Sequence, residues 1–418
     1  LLLPSNQLVD LIVIGGGPAG FMAAITAAEN GVSSVVLVEA TEKVLDKVRI
    51  SGGGRCNVTH ACWDPLDLVN NYPRGKLSLL GGFSRFATGD AVAWFAEKGL
   101  DLHTEPDGRM FPKSNSSFEV ISCLRRAARS VGVKCITKYS VRRLDYLKTK
   151  EFFVHFKNSN ASHAKRVVIA TGSHPSGRRL ATNLGHQIVD PVPALFSFNL
   201  EESSLNSCAG VSINDVNLKL LSGEKRFKEI GRVLITHWGL SGPAILRLSS
   251  FAARELNKDR YKAILTINWI NSTYPIASNL LNQFRYDAAR MTLANARPYK
   301  KLPKNFWLLL LRKAGINPSM RWSEFSSLLE KRLINILISD RLNLFARGPY
   351  GEEFVTAGGV NLKEIDFVTM ESRLLPGLYF VGEVLDVDGL TGGFNFQHCW
   401  TSGWLAGKAI ANSFDFAN

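Results

Sequence analysis

The sequence predicts a doubly wound α/β domain interrupted by a β-rich insertion that carries a helical subdomain, and three observations predict it. The chain opens on an apolar run, LVDLIVI, followed by GGGPAG, the helix-spaced run FMAAITAAENG and a second apolar run, SSVVLVE. Helix and strand patterns then alternate as far as AKRVVIATG, which suits a doubly wound sheet. From Pro191 prolines and short strand patterns take over, and a strand and long helix of the first kind return only near the end of the chain.

The first run is continuously apolar, as expected of a parallel strand covered on both faces. The helix after it carries small and apolar residues at helical spacing and stops at Asn30-Gly31. TGDAVAWFAEKG and SFEVISCLRRAARSVG read as two further amphipathic helices, and VKCITKYSVRRLDYL with EFFVHFK as strands of a meander. After DPVPALFSF come the short strands SINDVNLKLL, RVLITHW and KAILTINW, then a helical block from about Ala277 to Leu344. GLYFVGE and a helix from about Gly393 to Asn412 complete the first domain. The expected boundaries are therefore 1–190 with 345–418 for a discontinuous nucleotide-binding domain, and 191–344 for the insertion, β-rich over 191–275 and helical over 276–344. No internal repeat is visible.

With 418 residues, 45% hydrophobic and 21% charged, the chain is of a size for two or three domains and has the composition of a soluble globular protein. A net charge of +14 attracts anions. The basic residues stand in short groups such as LRRAAR, SGRRL and YKKLPK with no long polybasic run, so a solvated basic surface is the first reading and a nucleic-acid site the second. The cysteines at 56, 62, 123, 135, 208 and 399 show no C-x-x-C and no ligand spacing, which speaks against zinc and a disulfide framework and for a reducing compartment. No stretch approaches a membrane span, and FWLLLLRK reads as a buried helix. The expectation is a soluble intracellular protein, cytoplasmic or, if a transit peptide has been removed, in the matrix of a plastid or mitochondrion.

In VIGGGPAG, Gly15, Gly17 and Gly20 meet the G-x-G-x-x-G spacing around Pro18 and Ala19. The first permits the tight turn, the second admits a pyrophosphate to the backbone, and the third lets helix pack on strand. Glu39 ends the next strand nineteen residues after Gly20, where an acid accepts hydrogen bonds from ribose hydroxyls. A second glycine loop, ISGGGRCN, brings Ser51, Gly52, Gly53, Gly54, Arg55, Cys56 and Asn57, placed to receive the other half of a large dinucleotide such as FAD. Thr171-Gly172 ends a strand with residues small enough for a cofactor to pass. Gly382-Glu383, a loop with Asp386 and Asp388, and Gly392-Gly393 lead into a helix at Phe394 and Asn395, whose positive end suits the negative charge of reduced flavin.

Together these stretches resemble the FAD-dependent oxidoreductases of the BaiN-like group over nearly the whole chain. The residues that carry the resemblance are GGGPAG, ISGGGRCNVTH at 50–60, GRMFPKS at 108–114, THWGLSGPAIL at 236–246, VTAGGV at 355–360 and GEVLDVDGLTGGFNFQ at 382–397. The resemblance implies an FAD domain of Rossmann-like form with an inserted β-rich domain and a helical subdomain, and Lys47 and Val141 join the expected cofactor contacts. The chain departs from the pattern in the short SHPSGRRLATNLGH, in Phe394 where tyrosine is common, and in His398-Cys399.

His237, in THWGL, is the candidate acid or base, because the resemblance puts this loop beside the flavin. Cys56 has no second cysteine at redox spacing, Arg55 beside it is expected to lower its pKa without making it catalytic, and His60 reads as a solvent-facing loop residue. No second G-x-G-x-x-G follows a strand, so NADH or NADPH would dock only transiently. Three enzyme readings stay open: a reductase carrying hydride from NAD(P)H to a small acceptor such as a conjugated enone, an amine oxidase, and a flavoprotein acting on tRNA. A flavin-holding protein without turnover is a fourth reading. No metal site is expected, and the oligomeric state is left open.

Overall fold

The computed structural model describes residues 8–157, 161–201, 204–348 and 355–415. Two compact units divide the chain: Leu1–Pro191 with Thr356–Asn418, and Val192–Val355.

The first unit is built on a nine-stranded sheet. Its centre is five parallel strands in the order Lys134–Ile136, Val35–Val38, Leu8–Ile14, Ser162–Ile169 and Leu378–Phe380. Leu11, Ile12 and Val13 are fully buried, which is why this run is apolar without alternation. Lys134–Ile136 departs from the expected meander: it is reached through the helix Ser117–Ser130 and lies parallel to Val35–Val38, and only Val141–Tyr146 and Phe152–Phe156 form the antiparallel hairpin. Glu371–Ser372 and Ile365–Asp366 extend the opposite edge.

The helix Pro18–Glu29 packs against the helix Phe394–Asp415 at very short range. A Cβ at Gly403 would stand 2.6 Å from the Ala19 carbonyl oxygen, and one at Gly407 2.6 Å from Thr26 Cβ. Two glycines four residues apart occupy one helix face, so the two backbones touch along a full turn.

The second unit holds a closed six-stranded barrel of Phe198–Leu200, Gly239–Ser241, Lys225–Ile235, Ser212–Ser222, Ala263–Asn268 and Asp340–Arg347. The helices Tyr274–Asp287, Lys304–Lys313 and Ser327–Ser339 supply the helical part. The helical block expected to reach Leu344 therefore ends five residues earlier. In Asp340–Arg347 residues 340, 342 and 344 are buried while 341, 343 and 345 are exposed, a period of two that belongs to a strand. Leu218, Leu220, Leu265 and Ile267 point into a core shared with Trp269, Trp307 and Trp322. Each buried indole N–H has an acceptor: Asp340 Oδ2 at 3.0 Å, the Leu293 carbonyl at 2.8 Å and the Ala296 carbonyl at 3.0 Å respectively. FWLLLLRK lies in the buried helix Lys304–Lys313, and among the described residues no helix is long and apolar enough to cross a membrane.

Candidate functional site

The carboxyl ends of the parallel strands carry the candidate site, at the point where the strand order reverses around Leu8–Ile14. Gly15 has φ +116°, and a Cβ there would lie 2.4 Å from the Ala170 carbonyl oxygen, so the neighbouring strand itself demands glycine. Gly20 meets the carbonyl of Gly15 in the same way, at 2.1 Å. Gly17 is different. Its backbone is extended, with φ −87°, and a Cβ would meet nothing within 4 Å. Neither conformation nor packing demands a glycine here; glycine suits the start of a helix, and at this place it leaves the backbone open to the approach of a ligand. Pro18 and Ala19 begin the helix, and no side chain caps its free N–H groups.

Glu39 is held at the mouth of this turn. Its Oε2 accepts the Gly16 N–H at 2.8 Å, and its Oε1 accepts the N–H and hydroxyl of Thr41 at 2.8 and 2.9 Å. Tyr139 donates its N–H to the Glu39 carbonyl at 2.9 Å, which brings the segment leading into the buried Val141 alongside. Lys47 reaches Glu383 Oε2 at 3.1 Å and the Ser173 hydroxyl at 3.3 Å, linking the residues after Thr171-Gly172 to Gly382-Glu383.

The second glycine loop, Ser51–Gly54, is a short 3-10 turn in which Gly52 and Gly53 are left-handed. A Cβ at Gly53 or Gly54 would enter open space. The Asn57 Oδ1 and the Thr171 hydroxyl are buried without a hydrogen-bond partner among the described residues. An orphaned buried acceptor costs about 1–3 kcal/mol, so both atoms call for a ligand or water partner. Arg55 is placed otherwise than expected: its guanidinium pairs with Glu105 at 2.6 Å and lies 4.0 Å from the Phe111 ring centroid, while Arg109 holds the other Glu105 oxygen. Cys56 also departs from expectation. Burial pushes its thiol up to about 12, only partly offset by the Ser51 hydroxyl, and the Arg55 charge that was expected to lower it is engaged by Glu105.

This loop is clamped onto the start of the last helix. The Thr59 hydroxyl donates to Gln397 Oε1 at 2.6 Å, and the Trp400 indole donates to the Val58 carbonyl at 2.9 Å. His60, rather than facing solvent, lies 2.9 Å from the Gly392 carbonyl through Nδ1 and stacks on Phe394 with ring centroids 4.6 Å apart. Gly393 has φ +98°, and a Cβ would be 2.5 Å from the Thr59 carbonyl. Asn395 accepts from the Gly389 N–H at 2.8 Å and donates to the Gly389 carbonyl at 2.9 Å, tying the loop to the helix. Asp388 is fully buried and engages Arg74 through both carboxylate oxygens. His398, also buried, is pushed down to about 4 by burial and stays neutral, its Nε2 3.3 Å from the Gly382 carbonyl. Arg74, Thr59, Gln397 and Trp400 are site residues that the sequence patterns had not singled out.

The second unit holds His237, exposed, in the turn between Lys225–Ile235 and Gly239–Ser241, and the other candidates lie in the first unit. Among the described residues no group of three or more His, Cys, Asp or Glu side chains is arranged to hold a metal. The uncapped helix start at Gly17, the open glycine loop and the partnerless buried oxygens of Asn57 and Thr171 fit a dinucleotide.

The family model described as HI0933-like protein Rossmann domain matches residues 9–409. A 3-dehydro-bile acid delta(4,6)-reductase of Clostridium scindens is 29% identical over 412 residues, 96% of this chain and 98% of its own. A ribosomal RNA dihydrouridine synthase of Haemophilus influenzae is 28% identical over 429 residues, 97% of this chain and 99% of its own. Among solved structures, a 3-ketosteroid delta1-dehydrogenase from Sterolibacterium denitrificans shares the fold with a TM-score of 0.53 at 14% identity, over 98% of this chain and 100% of that one.

Proposed function

Since the chain belongs to the HI0933-like family, we propose that it is an FAD-dependent oxidoreductase that reduces a carbon–carbon double bond conjugated to a carbonyl, with NAD(P)H as a transient reductant. The observation that supports the cofactor is the uncapped helix start at Gly17, where no side chain stands between the free N–H groups and an approaching ligand. The bond class rests on what two relatives share by name: a reductase of delta(4,6) bonds in a 3-dehydro steroid and a synthase of dihydrouridine both saturate a carbon–carbon double bond in conjugation with a ring carbonyl.

In this reading Gly17 and the start of Pro18–Glu29 hold the pyrophosphate, Glu39 holds the ribose, and Asn57 and Thr171 donate or accept toward the remainder of the cofactor. FAD, when bound, supplies the two-electron transfer. The start of the helix Phe394–Asp415 lays positive partial charge at the site, and the buried, neutral His398 adds no cation beneath it. His237 is assigned the delivery of a proton to the substrate.

Two measurements test this. Anaerobic NADH or NADPH is expected to bleach the visible flavin band, and a 3-keto-4-ene steroid to restore it. A protein that cannot be loaded with FAD overturns the cofactor assignment, and a yellow protein indifferent to both nicotinamides overturns the reductase. His237→Gln is expected to lower turnover about 10²-fold with flavin content and bleaching unchanged. Full turnover in that variant removes His237 from the chemistry.

A second reading, with a uracil ring in RNA as the double bond's carrier, is favoured by the net charge of +14 and by the RNA-modifying relative. The uracil C5–C6 bond is conjugated to the C4 carbonyl, so the same site chemistry serves both.

A further inference from the structure

Most of the positive charge belongs to one unit. Of the 50 lysines and arginines and the 36 acids in the chain, 23 and 13 lie between Val192 and Val355, so this unit carries +10 of the +14.

The barrel register gathers part of that charge into a row. Lys228 stands directly opposite Lys219, Lys219 opposite Thr266, and Thr266 opposite Arg341, so that four adjacent strands place three cations and one hydroxyl side by side. All three basic residues are exposed, and no salt bridge holds them among the described residues, whereas Lys225 further along pairs with Glu255. Directly opposed residues have Cβ atoms about 4.5–5.5 Å apart, and like charges so placed destabilise a sheet.

Arg226 and Arg232 lie exposed on the same strand as Lys228, two and four residues away, and so share its outward face. Two exposed acids border this face: Asp215, in the bulge of Ser212–Ser222, is paired with Lys301 at 3.6 Å, and Glu201 accepts the side-chain N–H of Asn343, between Arg341 and Phe345 on their strand, at 3.0 Å. Two large apolar side chains stand out on the same outward face: Phe345, 42% exposed and four residues along the strand from Arg341, and Ile230, 48% exposed and two residues from Lys228.

We infer that this outer barrel face, centred on Lys219, Lys228 and Arg341, binds single-stranded RNA. The row spans three inter-strand steps, about 15 Å, and so matches two or three consecutive phosphates rather than a broad charged plane. A basic strip with an exposed aromatic beside it is the arrangement by which proteins hold an unpaired strand, phosphates on the cations and a base stacked on the ring. The inference deepens the second reading of function, and it is tested without turnover.

The experiment is fluorescence anisotropy of the full chain with a fluorescein-labelled 20-nucleotide single-stranded RNA at KCl concentrations from 50 to 200 mM. The wild-type protein is expected to bind with steep salt dependence. The triple variant K219Q/K228Q/R341Q is expected to weaken binding tenfold or more and to flatten the slope of log Kd against log salt by about 2, three phosphate contacts at about 0.7 each. A control of equal charge, K304Q/K331Q/R332Q, removes three exposed cations from the helical part and is expected to change binding less than threefold. Equal losses in the two variants, or no binding by the wild type, overturn the inference. Equal affinity for DNA of the same sequence overturns RNA as the ligand, and binding only to vesicles of phosphatidylserine and phosphatidylcholine moves the face to a membrane. Flavin bleaching by nicotinamide and steroid turnover, measured on the same proteins without RNA, report separately on the reductase.

Discussion

Replacing Asp388 with alanine is expected to cost the first unit about 3–5 kcal/mol of stability, the range for removing one partner of a buried ion pair. Asp388 has no exposed surface and the Arg74 side chain is only 9% exposed, so the substitution takes a charged partner away from a guanidinium that is itself buried. For a unit of this size the loss corresponds to a fall of roughly 6–20 °C in melting temperature. The double variant R74M/D388V replaces both charges by apolar groups and is expected to recover part of that loss. Thermal melts of the three apoproteins decide the matter. If the single variant melts like the wild type, Arg74 and Asp388 are not the buried clamp described. Flavin content follows the same order, because Asp388 lies in the loop that Asn395 ties to the start of the last helix.

Gly393→Ala is expected to release most of the flavin from the site. The backbone conformation, φ +98°, costs a side chain about 1–3 kcal/mol, and the new carbon would lie 2.5 Å from the Thr59 carbonyl, which is backbone and can yield only by moving. That movement breaks the join between the second glycine loop and the last helix, where Thr59 meets Gln397 and His60 meets Phe394. Gly53→Ala makes the contrast. Gly53 is also left-handed, at φ +67°, yet its Cβ would touch nothing, so the apoprotein is expected to melt within a few degrees of wild type. Its flavin-to-protein ratio nevertheless falls if the open side of that loop is where the cofactor lies. Absorbance ratios and melting curves on the two variants separate damage to the fold from damage to the cradle. A Gly53→Ala protein that retains full flavin takes this loop out of the site.

The readings that survived in the sequence are those whose residues are neighbours in the chain. The strand, glycine turn and helix at the start, and Glu39 at the end of the next strand, are contiguous, and each glycine reports a local backbone need. Arg74 and Asp388 are separated by 314 positions, and nothing in YPRG or DVDG marks them as partners. Arg55 was legible as a cation but not as one committed to Glu105, since the acid comes from another strand entry fifty residues on. Cys56 follows from the same fact: the neighbouring charge was visible and the burial that outweighs it was not. Asp340–Arg347 alternates plainly in DRLNLFAR, but the helical pattern before it runs on without a glycine or proline to mark the change. The basic row on the barrel was illegible for a different reason. Its members are dispersed through more than a hundred residues, and only hydrogen-bond register makes them adjacent.

The contact between Gly403, Gly407 and the helix Pro18–Glu29 sets the order in which the molecule is made. A ribosome releases the first helix early and the last helix only after the whole intervening chain, which at about 5–20 residues per second is a delay of tens of seconds. During that interval the nucleotide turn has no lid on its helix, while the contiguous second unit already has its complete sequence. The barrel is therefore expected to fold on the nascent chain and the first unit to close after release. Loading with the proposed flavin is then expected to follow translation, and a chain truncated by its final twenty residues is expected to keep a folded barrel and to bind no flavin.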